Sequence, residues 1–225
     1  CEQARETVSD TSKRRSGCKT SAAQASMRRE APGYVHVVQT RALLGAADPY
    51  MRILILIALK CGFRDQELMH VEFKDINWQN KTLRARAKPQ WNFMVKTWEQ
   101  REVPVPNDVM RALKHWREKR PGQTLILGAK SSKPNAHLLR SLKRLAKNAG
   151  LNCGRCDSCI ASSECEEFTL HRFRRTYITT MLRGLNGDLR TVQLYAGHKD
   201  LASTMRYLSP QSAPEAQAKV NAIKW

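Results

Sequence analysis

Apolar side chains recur along this chain from Tyr34 onward, whereas residues 1–33 contain almost no large apolar positions. We predict that 1–33 is a linker or flexible arm, because it lacks the apolar surface needed to build a core. From Pro49 the pattern becomes a nearly continuous apolar run that ends at Gly62, which is typical of a buried helix closed by a left-handed glycine. A second, short helix is predicted at 65–71.

The pattern between residues 75 and 106 changes to short β-friendly pieces separated by turn residues. These pieces predict a small antiparallel sheet made of residues 82–87, 93–97 and 101–105. Helical patterns then return, and the predicted helices are 107–120, 136–149, 174–183, 189–195 and 200–208, followed by a helical tail at 211–225. The predicted fold class is therefore mostly α with a small antiparallel β-sheet (α+β).

Composition adds a strong positive charge to this picture. Among 225 residues, 39 Lys and Arg face 20 Asp and Glu, for a formal net charge of +19, while a hydrophobic content of 41% is enough for a folded core. Residues 34–150 carry +13 of this charge, and residues 151–169 form the one acidic stretch at −3. Because basic residues that neutralise phosphates release counterions, nucleic acid is the favoured partner, with an anionic membrane surface as the alternative.

The hydrophobic runs are short. The longest purely apolar run, residues 53–59, has seven residues, far fewer than the ~20 that a spanning helix needs. We therefore expect no membrane segment. The chain starts at Cys1 without an apolar signal core, so we expect a piece of a longer cytoplasmic protein.

Five groups of residues could together act on a phosphodiester, which requires cations to hold the phosphate, proton donors and acceptors, and a nucleophile. In chain order they are Gly62-Phe63-Arg64-Asp65-Gln66-Glu67-Leu68, Val95-Lys96-Thr97 with Arg101-Glu102-Val103-Pro104, His171-Arg172-Phe173-Arg174, Gly197-His198, and Tyr207. Taken singly, each residue is more often a packing or surface residue. In this joint order, residues 34–210 resemble the catalytic domain of the tyrosine recombinase (phage integrase) family.

This resemblance implies how a phosphate would be held and cleaved. Arg64 and Arg174 would hold the non-bridging oxygens of the scissile phosphate through bidentate guanidinium contacts. Lys96 would be the general acid that protonates the leaving 5′ oxygen. Lys88, which lies in the same hairpin region, is the alternative lysine.

The remaining roles follow from the same resemblance. His171 would assist proton transfer at the nucleophile, and His198 would hydrogen-bond a phosphate oxygen. Tyr207 would attack phosphorus and form a 3′-phosphotyrosyl link, while Glu67 would orient the arginine and histidine cluster. Because the link conserves the energy of the phosphodiester bond, no catalytic cofactor is expected.

The resemblance also implies partners. A site-specific recombinase or integrase of a mobile element would act on double-stranded DNA as a homo-tetramer on two DNA sites, in the cytoplasm and associated with the nucleoid. The tail at 211–225 would dock into a neighbouring subunit or fold back on its own. Two other functions stay open: a type IB topoisomerase, and a non-catalytic zinc-stabilised DNA-binding protein.

A cysteine-rich insertion at 151–169 is not part of the family pattern. The spacing Cys-x2-Cys-x2-Cys-x5-Cys favours one tetrahedral structural zinc, and its candidate ligands are Cys153, Cys156, Cys159 and Cys165. An iron–sulfur cluster and a redox-sensitive loop without metal are the alternatives. We hypothesise that a metal here rigidifies the approach to His171 and Arg174, since His171 lies six positions after Cys165.

Overall fold

The structure is a computed structural model that describes residues 33–95, 100–129, 131–162, 164–208, 217 and 220–222. The predicted arm lies outside the described residues except for Gly33, and so does Lys96. Most of the tail predicted at 211–225 lies outside them as well.

Helices are the predominant secondary structure among the described residues. They are α1 (Val37–Ala46), α2 (Pro49–Cys61), α3 (Asp65–His70), α4 (Asn107–Glu118), α5 (Leu138–Asn148), α6 (Asp157–Ala161), α7 (Leu170–Gly184), α8 (Leu189–Ala196) and α9 (Leu201–Met205). The strands are β1 (Ile76–Asn77), β2 (Thr82–Ala85) and β3 (Arg101–Pro104). The predicted fold class, mostly α with a small antiparallel sheet, is confirmed. Among the described residues, no helix has both the length and the apolar content to cross a membrane.

Helix α2 runs through the core and packs against α4 and α7. It begins where the Asp48 carboxylate accepts a hydrogen bond from the Met51 amide at 2.7 Å, and it ends at Gly62, whose φ of 65° is left-handed. A Cβ atom at position 62 would also collide with the Tyr177 ring of α7. Glycine is therefore required here both for the turn and for the close packing of α2 on α7.

The sheet is antiparallel in the order β1-β2-β3, with Leu83 opposite both Ile76 and Val103. The strand predicted at 93–97 is wrong in the part that the structure describes, 93–95, and Ile76–Asn77 supplies the third strand instead. The physical reason is local. The Phe93 ring stacks on His70 with centroids 4.4 Å apart, and its main chain pairs back with Lys88 rather than with the sheet.

Two helix boundaries differ from the sequence prediction at positions that matter for the site. Helix α7 begins at Leu170 rather than near residue 174, so His171 and Arg174 lie one turn apart on the same helix. Helix α9 ends at Met205, and the amide of Tyr207 donates to the Thr204 carbonyl at 3.1 Å in the turn that follows. Tyr207 therefore lies just beyond a helix instead of within one.

Candidate active site

Arg174 on α7 is the most deeply buried of the predicted phosphate ligands, at 2% exposure. Its Nη1 donates to the Gly62 carbonyl at 2.5 Å, and its Nη2 donates to the Ala196 carbonyl. Both carbonyls lie at helix C-termini, where the main chain carries partial negative charge. Burial, together with the charges of Arg64 and Arg101, lowers the pKa of Arg174 to about 9.

Arg64 lies at the N-cap of α3 and meets the same turn as Arg174. Its Nη2 donates to the Gly197 carbonyl at 2.6 Å, one residue after the carbonyl that Arg174 contacts. Its Nη1 donates to Glu67 Oε1 at 2.9 Å, and its amide donates to Glu67 Oε2 at 2.7 Å. Two arginines that are 110 positions apart in sequence thus hold consecutive carbonyls.

Glu67 is a buried carboxylate between two arginines. Arg101 on β3 donates from both terminal nitrogens to its two oxygens, each at 2.6 Å. Burial alone would raise the pKa of Glu67, but the hydrogen bonds and charge of Arg101, with the charge of Arg64, lower it to about 2. The carboxylate therefore stays ionised at every pH at which the protein would work.

His198 and Tyr207 lie together beyond α8. His198 follows Gly197, whose left-handed φ of 61° ends that helix, and its Nδ1 lies 2.9 Å from Thr204 Oγ1. The His198 and Tyr207 rings stack with centroids 6.0 Å apart. Burial and the nearby Arg174 and Arg64 charges lower the pKa of His198 to about 4, so its ring is neutral near pH 7.

A cleft of about 530 Å³ opens beside this cluster, lined by Arg64, His171 and Arg174. Asn92 and Met94, which precede Lys96 in the sequence, line it as well. The structure therefore brings Arg64, Glu67, His171 and Arg174 around one cleft. His198 directly follows the Ala196 and Gly197 carbonyls that Arg174 and Arg64 contact, and Tyr207 stacks on His198.

Lys88, the alternative lysine, is engaged elsewhere. Lys88 is 2% exposed, and its ammonium donates to Glu72 Oε2 at 2.6 Å and to both Asp75 carboxylate oxygens at 2.6 and 2.7 Å. Two carboxylates thus compensate its charge, and Lys88 is not among the described residues that line the cleft. Lys96 lies outside the described residues and has no described position to compare.

Arg101 was not predicted to be a site residue. In the sequence motifs it was only the first residue of the strand signature Arg101-Glu102-Val103-Pro104. A signal was present. Arg101 and Val103 are two positions apart and therefore share one face of a strand, and Val103 is apolar. An arginine on an inward-facing strand position requires a buried anion. The sequence could not identify Glu67 as that anion.

The four predicted metal ligands do converge. The sulfur atoms of Cys153, Cys156, Cys159 and Cys165 all lie within 4.8 Å of one another, and those of Cys153 and Cys159 are 3.8 Å apart. Four sulfurs at about 2.3 Å from one tetrahedral ion are about 3.8 Å apart. The donor set could therefore hold one metal ion, and this spacing leaves less room for a multinuclear cluster between the sulfurs.

Local structure allows the close spacing of these cysteines. Gly154 has a left-handed φ of 72°, which turns the chain sharply after Cys153. Cys156 is the N-cap of α6, and its sulfur accepts a hydrogen bond from the Cys159 amide at 3.4 Å. Cys165 is fully buried, whereas the other three are partly exposed. The cluster is therefore anchored in the core at one of its four corners.

The insertion also contacts the helix that carries His171 and Arg174. Arg172 on α7 donates to the Glu167 carbonyl at 2.7 Å and to the Tyr34 carbonyl at 2.6 Å. Its guanidinium lies 5.2 Å from the centre of the Phe168 ring. The end of the cysteine segment and the first turn of α7 are thus joined by direct contacts.

Comparison with known proteins identifies the class that this fold and site define. The model of the Phage integrase family matches residues 34–213. This match covers well over half of the chain, so the chain belongs to the phage integrase family. The membership of this family that the five motifs predicted is therefore confirmed.

Relatives with curated names are tyrosine recombinases. Tyrosine recombinase XerA of Pyrococcus furiosus is 25% identical over 182 residues, covering 77% of this chain and 55% of the relative. Tyrosine recombinase XerC of Bifidobacterium longum is 28% identical over 162 residues, covering 65% of this chain and 39% of the relative. The chain therefore spans about half the length of the curated relatives it matches, or less.

Solved structures share the fold. The Tn1549 transposon integrase in complex with a circular intermediate DNA matches with a TM-score of 0.68 at 18% identity, covering 86% of this chain and 67% of the other. The XerA recombinase crystal structure matches with a TM-score of 0.65 at 20% identity, covering 87% and 67%. At these identities the likeness concerns the fold alone.

Proposed function

We propose that this chain is the catalytic part of a site-specific DNA recombinase that cleaves and rejoins strands through a 3′-phosphotyrosyl intermediate. The observation that carries the proposal is the pair Arg64 and Arg174, held on consecutive carbonyls beside the stacked His198 and Tyr207 rings. In this assignment residues 34–210 are the catalytic domain, 151–169 its insertion, 1–33 an arm and 211–225 a tail helix. Curated relatives named tyrosine recombinases support it.

Arg64 and Arg174 would bind the two non-bridging oxygens of the scissile phosphate. Each guanidinium has five N–H donors, of which the hydrogen bonds described above use two on each side chain. The charge that develops on a pentavalent phosphorus is stabilised best by donors that are already fixed in place. The carbonyls of Ala196 and Gly197 would hold the two arginines in position before DNA binds.

The chemical step exchanges one phosphate ester for another. The Tyr207 oxygen would attack phosphorus while the bond from phosphorus to the 5′ oxygen breaks. His171 would take the phenolic proton, and Lys96 would give a proton to the 5′ oxygen. Because one ester bond forms as one breaks, the step needs neither ATP nor a catalytic metal, and religation is its reverse.

His198 would donate a hydrogen bond to a phosphate oxygen. If the Thr204 hydroxyl donates to Nδ1, the neutral ring carries its proton on Nε2 and presents it as a donor. The pKa near 4 supports this neutral form near pH 7. The stack with Tyr207 would then keep the donor beside the nucleophile.

A covalent-adduct assay tests the proposal directly. Purified protein is mixed with a pool of nicked duplexes of randomised sequence, in which the short 3′ fragment diffuses away after cleavage and religation cannot occur. We expect a DNA adduct that survives denaturing detergent and disappears in Tyr207→Phe. The matched control is Tyr177→Phe, which removes a buried hydroxyl that has no hydrogen-bond partner among the described residues.

The outcomes of this assay separate the alternatives. DNA binding that weakens with salt, without adduct at any protein concentration, would replace the proposal with a non-catalytic DNA-binding protein. Adduct on any sequence, together with relaxation of plasmids that lack a selected site, would replace it with a type IB topoisomerase.

The general acid can be tested by changing the leaving group. A thiol leaves without needing a proton, so a duplex with sulfur in place of the bridging 5′ oxygen bypasses a general acid. We expect Lys96→Ala to lose cleavage of ordinary DNA and to regain it on the sulfur-containing duplex. Lys88→Ala is the comparison, and the same rescue in Lys88→Ala but not in Lys96→Ala would reverse the assignment.

The proposed assembly is a homo-tetramer on two double-stranded DNA sites, associated with the nucleoid. The charge of +13 on residues 34–150 supports a DNA-binding body. Mass measurement of the complex on the duplex selected in the adduct assay is expected to give four copies with two duplexes. A complex that stops at one copy per duplex at all concentrations would contradict the tetramer.

We also propose that the cysteine cluster holds one structural zinc ion. The mutual distances of the four sulfurs support a single tetrahedral ion. Elemental analysis of protein purified without added metal is expected to give about one zinc per chain. Iron together with acid-labile sulfide would favour the iron–sulfur alternative, and no bound metal would favour the redox-sensitive loop.

A further inference from the structure

Strand β3 carries an arginine at an inward-facing position. Arg101 is 9% exposed and shares the buried face of the strand with Val103. Because a buried charge without a partner is strongly destabilising, such a residue has to be paired. Its partner is Glu67, which receives two parallel hydrogen bonds of 2.6 Å in the bidentate geometry that arginine makes with carboxylates.

The same guanidinium reaches the C-terminus of α8, where its Nε donates to the Tyr195 carbonyl at 2.8 Å. Three consecutive carbonyls at this end of the helix, those of residues 195, 196 and 197, thus accept from Arg101, Arg174 and Arg64 respectively. These carbonyls are among those that a helix leaves without an internal partner. The turn that leads to His198 is therefore held by three arginines from three different elements.

The packing around this turn is close. A Cβ atom at Gly197 would lie 3.0 Å from Cδ of Arg101, which is tighter than an ordinary contact. Glycine at 197 therefore provides the left-handed turn and also makes room for the Arg101 side chain. Arg101 therefore contacts both Glu67 and this turn.

We infer that Arg101 is a positioning residue for phosphate cleavage, acting through Glu67 and the α8 C-terminus without contacting DNA. Without Arg101, Arg64 would be the remaining arginine on Glu67 and would be drawn more fully onto that carboxylate. The consecutive carbonyls that hold Arg64 and Arg174 would also lose their third support. This inference rests on the proposed function, because it concerns the same phosphate-binding pair.

The variant that tests the inference is Arg101→Lys, because it keeps the charge but replaces a planar fork with a single ammonium group. One ammonium cannot reproduce the two parallel bonds to Glu67 together with the bond to Tyr195. Arg101→Gln is the stronger change. The matched control is Arg86→Gln, since Arg86 also donates to a buried carboxylate, Asp75, at 2.6 Å, but does not line the cleft.

The experiment measures three quantities on the duplex selected by wild-type adduct formation: DNA affinity, thermal midpoint and single-turnover cleavage rate. For Arg101→Gln we expect cleavage to fall about 10²-fold with DNA affinity within about threefold, because small misplacements of binding groups cost rate steeply. Arg101→Lys is expected to recover part of this loss. Arg86→Gln is expected to lower the thermal midpoint and leave the cleavage rate unchanged.

Two cleavage results would overturn the inference. Arg101→Lys and Arg101→Gln could cleave at the wild-type rate, or the loss in Arg86→Gln could match theirs, which would make the effect one of stability alone. If wild type forms no adduct, the proposed function fails, and inorganic phosphate then tests Arg101 without catalysis. Its binding, followed through the arginine Nε–H signals in NMR spectra, is expected to weaken at least about tenfold in Arg101→Lys if Arg101 positions the pair. Unchanged phosphate affinity would refute the positioning role.

Discussion

The arginine site and the cysteine cluster are assembled in opposite ways. Contacts in the arginine site join residues 133 positions apart, from Arg64 to Gly197, and 112 positions apart, from Arg174 to Gly62. All four cysteines lie within the thirteen residues from Cys153 to Cys165. The protein itself balances the arginine charges with carbonyls and a carboxylate, whereas four thiols that face one another need a cation once they ionise.

This difference predicts how each region fails. The arginine site depends on the tertiary fold and should lose function when a single contact is removed. The cysteine cluster comes from one short segment of the chain, so losing the zinc ion proposed for it should affect stability before chemistry. The predictions below test that contrast from the largest expected effect to the smallest.

The largest effect is expected from Arg174→Ala. The change removes a proposed phosphate ligand and leaves the Gly62 and Ala196 carbonyls without that donor, so we expect the cleavage rate to fall about 10³-fold. Single-turnover adduct formation measures it. The control is Arg175→Ala, an exposed arginine at the next position, and a rate within tenfold of wild type in Arg174→Ala would contradict the contrast.

Acid should remove stability that Glu67 provides. Its pKa is lowered from 4.5 to about 2 in the folded protein, so its contribution is present above about pH 4.5 and is lost as the pH falls toward 2. We expect a loss of about 3 kcal/mol in the free energy of unfolding from this group. Denaturant unfolding between pH 7 and pH 2.5 measures it.

The Glu67→Gln variant is the comparison for this acid effect. It should be less stable than wild type at pH 7, and the difference should shrink as the pH falls. Glu118→Gln, at an exposed position on α4, should follow the wild-type curve. Parallel curves for wild type and Glu67→Gln would show that Glu67 is not the group responsible.

Metal removal should affect stability more than cleavage. A strong chelator, or Cys165→Ser, is expected to lower the thermal midpoint by about 5 °C, which corresponds to about 2 kcal/mol for a domain of this size. Cleavage measured well below the midpoint should fall less than tenfold. Calorimetry and adduct formation on the same samples measure both quantities.

Two cysteines make the metal test specific. Cys61→Ser changes a buried cysteine on α2 outside the cluster, and its midpoint should still fall when chelator is added. Cys165→Ser should no longer respond to chelator. A chelator response that persists in Cys165→Ser, or a cleavage loss as large as that of Arg174→Ala, would remove the distinction between the two regions.

The smallest effect is expected at an exposed ion pair in the sheet that carries Arg101. Arg84 and Glu102 pair across β2 and β3 at 3.0 Å with side chains 53% and 37% exposed. Because water screens such pairs, Arg84→Ala should change the free energy of unfolding by no more than about 1 kcal/mol. Denaturant unfolding of both variants checks this. If Arg84→Ala lost as much free energy of unfolding as Arg101→Gln, burial would not be what distinguishes Arg101.

Local signals predicted much of the fold correctly and failed where partners were distant. The apolar run that ends at Gly62 indicated α2 because both signals, the run itself and the left-handed glycine that closes it, lie in the helix or directly after it. The sheet was only partly right. Residues 93–97 have strand-like composition, yet the stacking of Phe93 on His70 competes with pairing in the sheet.

The sequence by itself determined the order of the motifs, the spacing of the four cysteines and the ends of several helices, because each is encoded by residues close together in the chain. The tertiary structure alone decided that three arginines donate hydrogen bonds to the carbonyls at the end of one helix. It also decided that Glu67 lies between Arg64 and Arg101. These pairings depend on long-range packing of α2, α7, α8 and β3, which brings buried charges and free carbonyls together where each satisfies the other.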